Sequence, residues 1–405
     1  MERVMAWTET AARLWPADTP PTVIHRPDGQ PDERAFREFV FLPNAANPRM
    51  LLPAGTPRAA ASALRRYSHG LGWRERATRH FLAAALHARF PERLLPDRLR
   101  LAHPHARPGD VGSIEDYLSE VLGARPYLSL RLGNPRANRK PVLHALSATG
   151  TSLAFVKVGV TEVARSLVWA ETGALRDIGS RRWTHLTPPQ VLHSGTWSGL
   201  EILVVSSLET TARRWKGRRA LPIAAMHELA TVNGLDRQAL ADSDFWQKRT
   251  AVPAQLHSDH AARSLSSILE RIEASYGDTR LEMGAWHGDW TPWNMAWWRQ
   301  TVQLWDWERF DRGVPYGFDF LHYQLQDRLR SGELTTTGMQ RWRAGARGTL
   351  EPLGLAGRPA RATVAAYLLE LCCRYLLAAQ EPAGEPLRAR AQWLLGFLHE
   401  TSGSL

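Results

Sequence analysis

The sequence predicts an α+β protein of two lobes, a small antiparallel-sheet lobe and a larger, mainly helical lobe, with an extra N-terminal α/β region. Three observations predict it. Five short apolar runs, separated by turn signals and with one long helical pattern after the third, occupy residues 127–205. From about residue 220 the pattern is helical, apart from an island of three short strands between Glu282 and Trp307. The first hundred or so residues carry strands and helices of their own. A stretch broken by Pro and Gly, residues 102–110, follows them. The expected regions are therefore 1–110, 111–208 and 209–405.

In the first region, residues 37–42 and 49–52 read as short strands around the turn Pro43-Asn44-Ala45-Ala46-Asn47-Pro48. Residues 57–67 and 73–89, rich in Ala, Leu and Arg, read as helices. The second region opens with a helix near Ser113, with Asp116 three residues on as its capping partner. Strands are expected at 127–132, 142–146 and 153–158, a long helix at 161–178, and strands near 190–193 and 200–205. Helices at 360–379 and 387–399 close the third region, and the sequence has no internal repeat or low-complexity segment.

The 405 residues are enough for a sizeable core, and 44% hydrophobic with 22% charged residues is an ordinary globular balance. No apolar run is long enough to span a bilayer, and the start has no stretch of signal-peptide length, so a cytoplasmic location is expected. The only cysteines, Cys372 and Cys373, are adjacent in a helical pattern, where side chains diverge. Two small buried hydrophobes are expected there, with neither a disulfide nor a zinc site. The net charge is +11. Its basic residues are spread along the chain and are nearly all arginine, with lysine only at positions 140, 157, 216 and 248. Without a basic stripe, neither nucleic acid nor a membrane surface is the expected partner. Oligomeric state is unreadable.

The chemistry concentrates in two segments. The first is Trp286-His287-Gly288-Asp289-Trp290-Thr291-Pro292-Trp293-Asn294-Met295, and the second, after a predicted hairpin, is Leu304-Trp305-Asp306-Trp307-Glu308. Phosphoryl transfer from ATP needs one carboxylate beside the attacking hydroxyl and oxygen ligands for Mg2+. Asp289 is the candidate base. Asn294 and Asp306 are candidate metal ligands, brought to one pocket by the hairpin. Glu308, two residues on, falls on the same side of an extended chain and could take a second metal or a metal-bound water.

This pattern resembles the catalytic and metal loops of the aminoglycoside phosphotransferase and choline kinase superfamily, over roughly residues 125–400. The resemblance implies a protein-kinase-like fold, Asp289 as catalytic base, and Asn294 and Asp306 as Mg2+ ligands. Lys157, inside the apolar run Leu153-Ala154-Phe155-Val156-Lys157-Val158-Gly159, resembles the strand-three lysine that contacts the α and β phosphates, with Glu171 as its helix partner. Ser206, Ser207 and Leu208 fall where the superfamily's interlobe hinge offers backbone to adenine. Asp319 is expected to hold the catalytic loop through backbone amides, and His287 to pack it. One departure is the phosphate-covering turn, residues 133–139, which has a single glycine.

The implied activity is transfer of the γ-phosphate of ATP, with Mg2+, to a hydroxyl of a small-molecule acceptor. Gly288 stands where regulated protein kinases carry an arginine, and there is little room for an activation segment between Asp306 and Asp319, so a protein acceptor is not expected. An aminoglycoside, sugar, nucleoside, amino alcohol or natural-product intermediate all fit. Trp290, directly after the base, is the candidate acceptor contact. A catalytically inactive nucleotide-binding scaffold, or nucleotidyl transfer on the same fold, are the alternatives.

Overall fold

The computed structural model of the chain describes residues 2–25, 36–66, 81–84, 95–103, 112–133, 140–209, 222–330, 335–381 and 384–401. Most of the helix expected at 73–89 and nearly all of the turn at 133–139 lie outside these residues. The chain divides into two compact units. The first takes the described residues up to 133 together with 140–179 and 189–209. The second takes 180–188 and everything described from 222 onward.

In chain order the first unit begins with α1 (Glu2–Leu14), β1 (Thr22–His25), β2 (Arg37–Leu42), β3 (Met50–Pro53), α2 (Pro57–Arg66) and β4 (Asp97–Leu101). It continues with α3 (Ile114–Leu122), β5 (Tyr127–Leu132), β6 (Pro141–Leu146), β7 (Ser152–Gly159) and α4 (Glu162–Gly179). A two-residue strand, β8 (Leu186–Thr187), belongs to the second unit, after which β9 (Val191–Trp197) and β10 (Leu200–Ser206) return to the first. The Ser113 cap forms as expected. Its Oγ accepts from the Asp116 N–H at 3.2 Å and donates to the Asp116 carboxylate at 2.6 Å.

The nine described strands of the first unit form one sheet in the order β1-β4-β2-β3-β5-β6-β7-β10-β9, and every described pairing is antiparallel. This corrects the boundary drawn at residue 110. Strand β3 pairs with β5, with Leu51 opposite Leu130, so the N-terminal strands extend the five-strand set instead of folding apart from it. The physical reason is that β5 alone would be a long apolar edge, which proteins cover. Strands β1 and β4 were not read from sequence. They are short, and β4, Asp-Arg-Leu-Arg-Leu, has too many charges for its apolar alternation to stand out.

The period-two alternation of β2 builds both faces of the sheet. Phe39 and Phe41 join a core with Leu51, Leu130, Val156 and Val158. Helix α1 closes it with Trp7, Ala11 and Leu14, spaced i, i+4, i+7 on one face. Val40 and Leu42 turn to the opposite face and meet the alanine-rich side of α2.

The second unit contains α5 (Ile223–Ala230), β11 (Asp236–Ala239), α6 (Asp244–Thr250), α7 (Asp259–Tyr276), β12 (Arg280–Trp286), β13 (Met295–Trp298) and β14 (Thr301–Leu304). It ends with β15 (Asp311–Pro315), α8 (Phe318–Arg330), α9 (Thr336–Leu350), α10 (Gly357–Gln380) and α11 (Glu385–Thr401). Its strands form two three-stranded sheets, β11-β12-β15 and β13-β14-β8. Helix α10 is the centre of its core, contributing Val364, Tyr367, Leu368, Leu371, Cys372 and Cys373. Among the described residues it is the one helix whose length and hydropathy would suit a bilayer, which departs from the sequence expectation of none. It carries Arg358, Arg361, Glu370 and Arg374, and 72% of its most apolar window is buried inside the protein. Both cysteine thiols are buried, and burial pushes Cys373 up to about 12.

The joining of β3 to β5 is testable. Leu51→Ala and Leu130→Ala should each lower the unfolding free energy by roughly 2–5 kcal/mol, measured by denaturant titration. Because the two side chains are register partners, the double variant should lose less than the sum. Strict additivity would mean that the seam does not form.

Candidate functional site

The first unit supplies one ion pair. Lys157 lies in β7, between β6 and β10, opposite Val142 and Leu203. Its neighbours Val156 and Val158 point into the core packed by α1, so alternation turns Lys157 to the other face. There its Nζ donates to both carboxylate oxygens of Glu171 on α4, at 2.6 and 2.8 Å. Both side chains are buried. Lys140, the residue before β6, approaches the same carboxylate at 3.6 Å, a contact that sequence reasoning missed.

Of the expected hinge residues, Ser206 ends β10, and Ser207 and Leu208 follow it. The Ser206 N–H donates to the Gln190 carbonyl at 2.8 Å, and its hydroxyl accepts from the Gln190 N–H at 2.9 Å. The Ser207 hydroxyl accepts from Ser152, which is bonded in turn to His144. Burial, helped by Arg66, pushes His144 down to about 3, so that imidazole is neutral. Leu208 is buried.

The second unit builds the loop that follows β12. Asp319, on the first turn of α8, accepts from the backbone N–H of His287 at 2.8 Å and of Gly288 at 3.2 Å. Arg374 of α10 donates to the Gly288 carbonyl at 2.7 Å and lies over the Trp286 ring at 5.0 Å. It is held by Glu370 one turn before it, at 3.1 Å, and Glu370 also pairs with Arg249 at 2.5 Å. His287 packs the loop: its Nδ1 accepts from the Asp289 N–H at 3.2 Å and its Nε2 meets the Trp305 carbonyl at 3.2 Å.

Gly288 is required here. Its φ is +78°, and a Cβ on it would collide with the Arg309 carbonyl. The arginine that a protein kinase would carry at this place is therefore sterically excluded.

Asp289 is held at both carboxylate oxygens. Asn294 Nδ2 donates to Oδ2 at 2.8 Å and to the Asp289 carbonyl at 3.0 Å, while His322 Nε2 lies 3.3 Å from Oδ1. Burial raises the Asp289 pKa. The hydrogen bond from His322 and the charge of Arg374 act against it, and the net shift is downward. Arg309 is pushed down to about 10 by burial and by Arg374, and stays charged. Sequence reasoning missed His322, Arg374 and Arg309. A signal existed for His322, which is three residues after Asp319 and so on the same helix face.

The hairpin β13-β14 forms as expected and carries the chain from Asn294 to Asp306. Asp306 sits at φ +68°, and Glu308 lies in a turn. The extended geometry that put Glu308 on the same side as Asp306 is therefore absent, and this corrects the reason for naming Glu308. Among the described residues, no three or more His, Cys, Asp or Glu side chains gather into a metal-holding group. Asn294 and Asp306 still suit Mg2+, which is held by one or two protein oxygens together with phosphates and water. The Asn294 amide is compatible with this, because only its nitrogen is used in holding Asp289 and the hydrogen bonds to Asp289 do not involve its oxygen.

Trp290 cannot contact an acceptor. It is fully buried, with its Nε1–H 3.4 Å from the Met295 sulfur, so its role is packing. Trp293 is the exposed tryptophan of the loop, 38% accessible at the third position of a turn closed by the Asn294 N–H on the Thr291 carbonyl at 3.1 Å. A separate groove of about 680 Å³, lined by residues including Leu256, His260, Leu376, Arg388, Leu395 and His399, contains none of the motif residues.

No protein-family model matches the chain, and no curated protein matches it. Solved structures do. The chain is similar to a thermostable mutant of aminoglycoside phosphotransferase APH(4)-Ia in its apo form, at 14% identity over 72% of this chain and 100% of that one, with a TM-score of 0.47. It is similar to a putative fructosamine-3-kinase from Haemophilus somnus 129PT, at 15% identity over 70% and 96%, with a TM-score of 0.42. It is also similar to APH(2")-IIa in a streptomycin–ATP ternary complex, at 14% identity over 72% and 98%, with a TM-score of 0.46.

Two predictions test the loop. Gly288→Ala should cost roughly 3 kcal/mol, from left-handed strain and overpacking together, read as a shift of the urea midpoint. Burial pushes Asp319 up to about 7, against its backbone hydrogen bonds, from an ordinary value of 3.8. The folded state then holds this proton more tightly than the unfolded chain. The stability from this group is full below 3.8 and is lost as pH rises through about 7. The gap in unfolding free energy between wild type and Asp319→Asn should narrow over that interval; a gap that widens would show that Asp319 is ionised throughout.

Proposed function

We propose that the protein is an ATP-dependent small-molecule kinase that moves the γ-phosphate of ATP to an acceptor hydroxyl. The observation that carries this reading is the arrangement of Asp289. Its loop is clamped by Asp319 and Arg374, and its carboxylate is oriented by Asn294 on one oxygen. Phosphoryl transfer asks mainly for positioning and charge stabilisation. Asp289 orients the hydroxyl and accepts its proton as the oxygen bonds to phosphorus and ADP leaves. Asn294 Oδ1 and Asp306 would hold Mg2+, which neutralises phosphate charge when bound. The formed Lys157–Glu171 pair supports the same reading, since a lysine so anchored is a fixed point charge for phosphate. With the Ser206 N–H committed to Gln190, backbone recognition of adenine falls to Ser207 and Leu208.

The acceptor is a small molecule on this reading, with Trp293 in the contact role first given to Trp290. Trp293→Ala should raise the acceptor KM about tenfold with little effect on ATP affinity. Trp290→Ala should instead cost roughly 3–5 kcal/mol of stability. Equal effects on KM from both would remove the distinction.

The decisive experiment is calorimetry of magnesium ATP with wild type and Asp306→Ala. Magnesium-dependent binding that weakens at least tenfold in the variant, about 1.4 kcal/mol, is expected, followed by acceptor phosphorylation that Asp289→Asn abolishes. Absence of ATP or GTP binding to wild type would refute the kinase reading. Binding without transfer to any of a broad panel of hydroxyl compounds would leave the inactive scaffold.

A further inference from the structure

The reading of Asp289 as the base leaves one pair of buried groups unexplained. His322 lies on α8, one turn after Asp319, and Tyr367 lies in the middle of α10. Both are buried. The His322 ring sits against Trp286 at 6.4 Å and against Tyr367 at 6.1 Å, both edge-on. Its two nitrogens have different partners: Nε2 is 3.3 Å from Asp289 Oδ1, and Nδ1 is 3.1 Å from the Tyr367 hydroxyl.

The chemistry of these partners selects one proton arrangement. Asp289 Oδ1 is a carboxylate oxygen and can only accept, so Nε2 must carry a hydrogen. Nδ1 then either carries a second hydrogen, giving a cation, or accepts one from Tyr367. Burial and the charges of Arg374 and Arg309 push the His322 pKa down, against the pull of Asp289. Burial pushes the Tyr367 pKa well above its ordinary value, so Tyr367 keeps its proton and can donate it to Nδ1. The titratable groups acting on the imidazole are therefore Asp289 from the loop, Arg309 from the segment before β15, and Arg374 with Tyr367 from α10.

We propose that His322 is a positioning residue for the base, a neutral Nε2–H imidazole that donates to Asp289 Oδ1 and is itself held in that tautomer by the Tyr367 hydroxyl. This rests on the kinase reading above. Asn294 holds Oδ2, so the two donors together fix the plane of the carboxylate. Each oxygen keeps lone-pair capacity for the acceptor hydroxyl. A neutral donor orients the carboxylate without transferring a proton to it, so Asp289 stays a base. An imidazolium at the same distance would bind the carboxylate as an ion pair and compete with the acceptor.

The test has two arms on the full-length protein. In the first, nitrogen-15 NMR of the imidazoles, with His322 assigned by its loss in His322→Gln, reads the tautomer near neutral pH. A neutral Nε2–H ring is expected, with weaker tautomer preference in Tyr367→Phe. A protonated ring or the Nδ1–H form overturns the proposal whether or not any activity is found. In the second arm, ADP release from magnesium ATP is followed with the best acceptor found, or with water if none is. His322→Ala should lower kcat about tenfold to a hundredfold with ATP affinity unchanged by calorimetry. His322→Gln, which keeps a donor near the Nε2 position, should recover a substantial part. Equal activity in wild type and His322→Ala, or no recovery in His322→Gln, overturns the positioning role alone. Failure of wild type to bind magnesium ATP defeats the kinase reading instead, and the NMR arm still decides the tautomer. If His322→Ala does not fold, the kcat comparison of His322→Gln and Tyr367→Phe with wild type stands in for it, with a reduced kcat in Tyr367→Phe expected and full activity there overturning the role of the tyrosine.

Discussion

Two successive backbone amides, those of His287 and Gly288, end on the single buried carboxylate of Asp319, and the geometry of the candidate site follows from that contact. A carboxylate so buried is costly unless its oxygens are satisfied. Here each oxygen receives one N–H, and Arg374 adds a nearby positive charge. Because the amides are consecutive, they fix the peptide plane between them. The chain then leaves in the left-handed conformation that only glycine adopts readily, and Arg374 holds the Gly288 carbonyl from the other side. Asp289 is thereby aimed by the backbone before its own side chain makes any contact.

Around this clamp the tryptophans divide by function. Trp286, Trp290 and Trp307 are buried; Trp286 supports Arg374, and Trp307 donates to the Leu304 carbonyl at 2.9 Å. They remove water from beneath the loop, which strengthens each hydrogen bond made there. Trp293 has no such role and stays partly in solvent because the Thr291–Asn294 turn carries it outward.

The first unit solves a different problem. A lysine and a glutamate must meet in a buried place, which requires the strand and the helix that carry them to be held rigidly. The nine-stranded sheet does this from both sides. Strand β7 is interior, with β6 and β10 paired to it, and the N-terminal strands cover the β5 edge that would otherwise end the sheet beside β6. The region ahead of residue 110 is thus part of the support of Lys157.

What the sequence determined by itself is what short-range periodicity and spacing encode. The strands 127–132 and 153–158, the helix carrying Glu171 and the hairpin between Asn294 and Asp306 were legible, because each depends on alternation, a helical repeat or a fixed short loop, whereas the role of Asp319 was legible only through the resemblance to the superfamily motif. The tertiary structure alone decided the rest. The pairing of β3 with β5 joins runs about eighty residues apart and has no local signature. The Arg374 contact to Gly288 spans 86 residues, and the Tyr367 contact to His322 spans 45. The left-handed backbone of Asp306 broke the extended run on which the reading of Glu308 depended, and the burial of Trp290 transferred the exposed position to Trp293. Periodicity says which face of an element is apolar, but it does not say which other element will cover that face, and the partners of Asp289 are set by that choice.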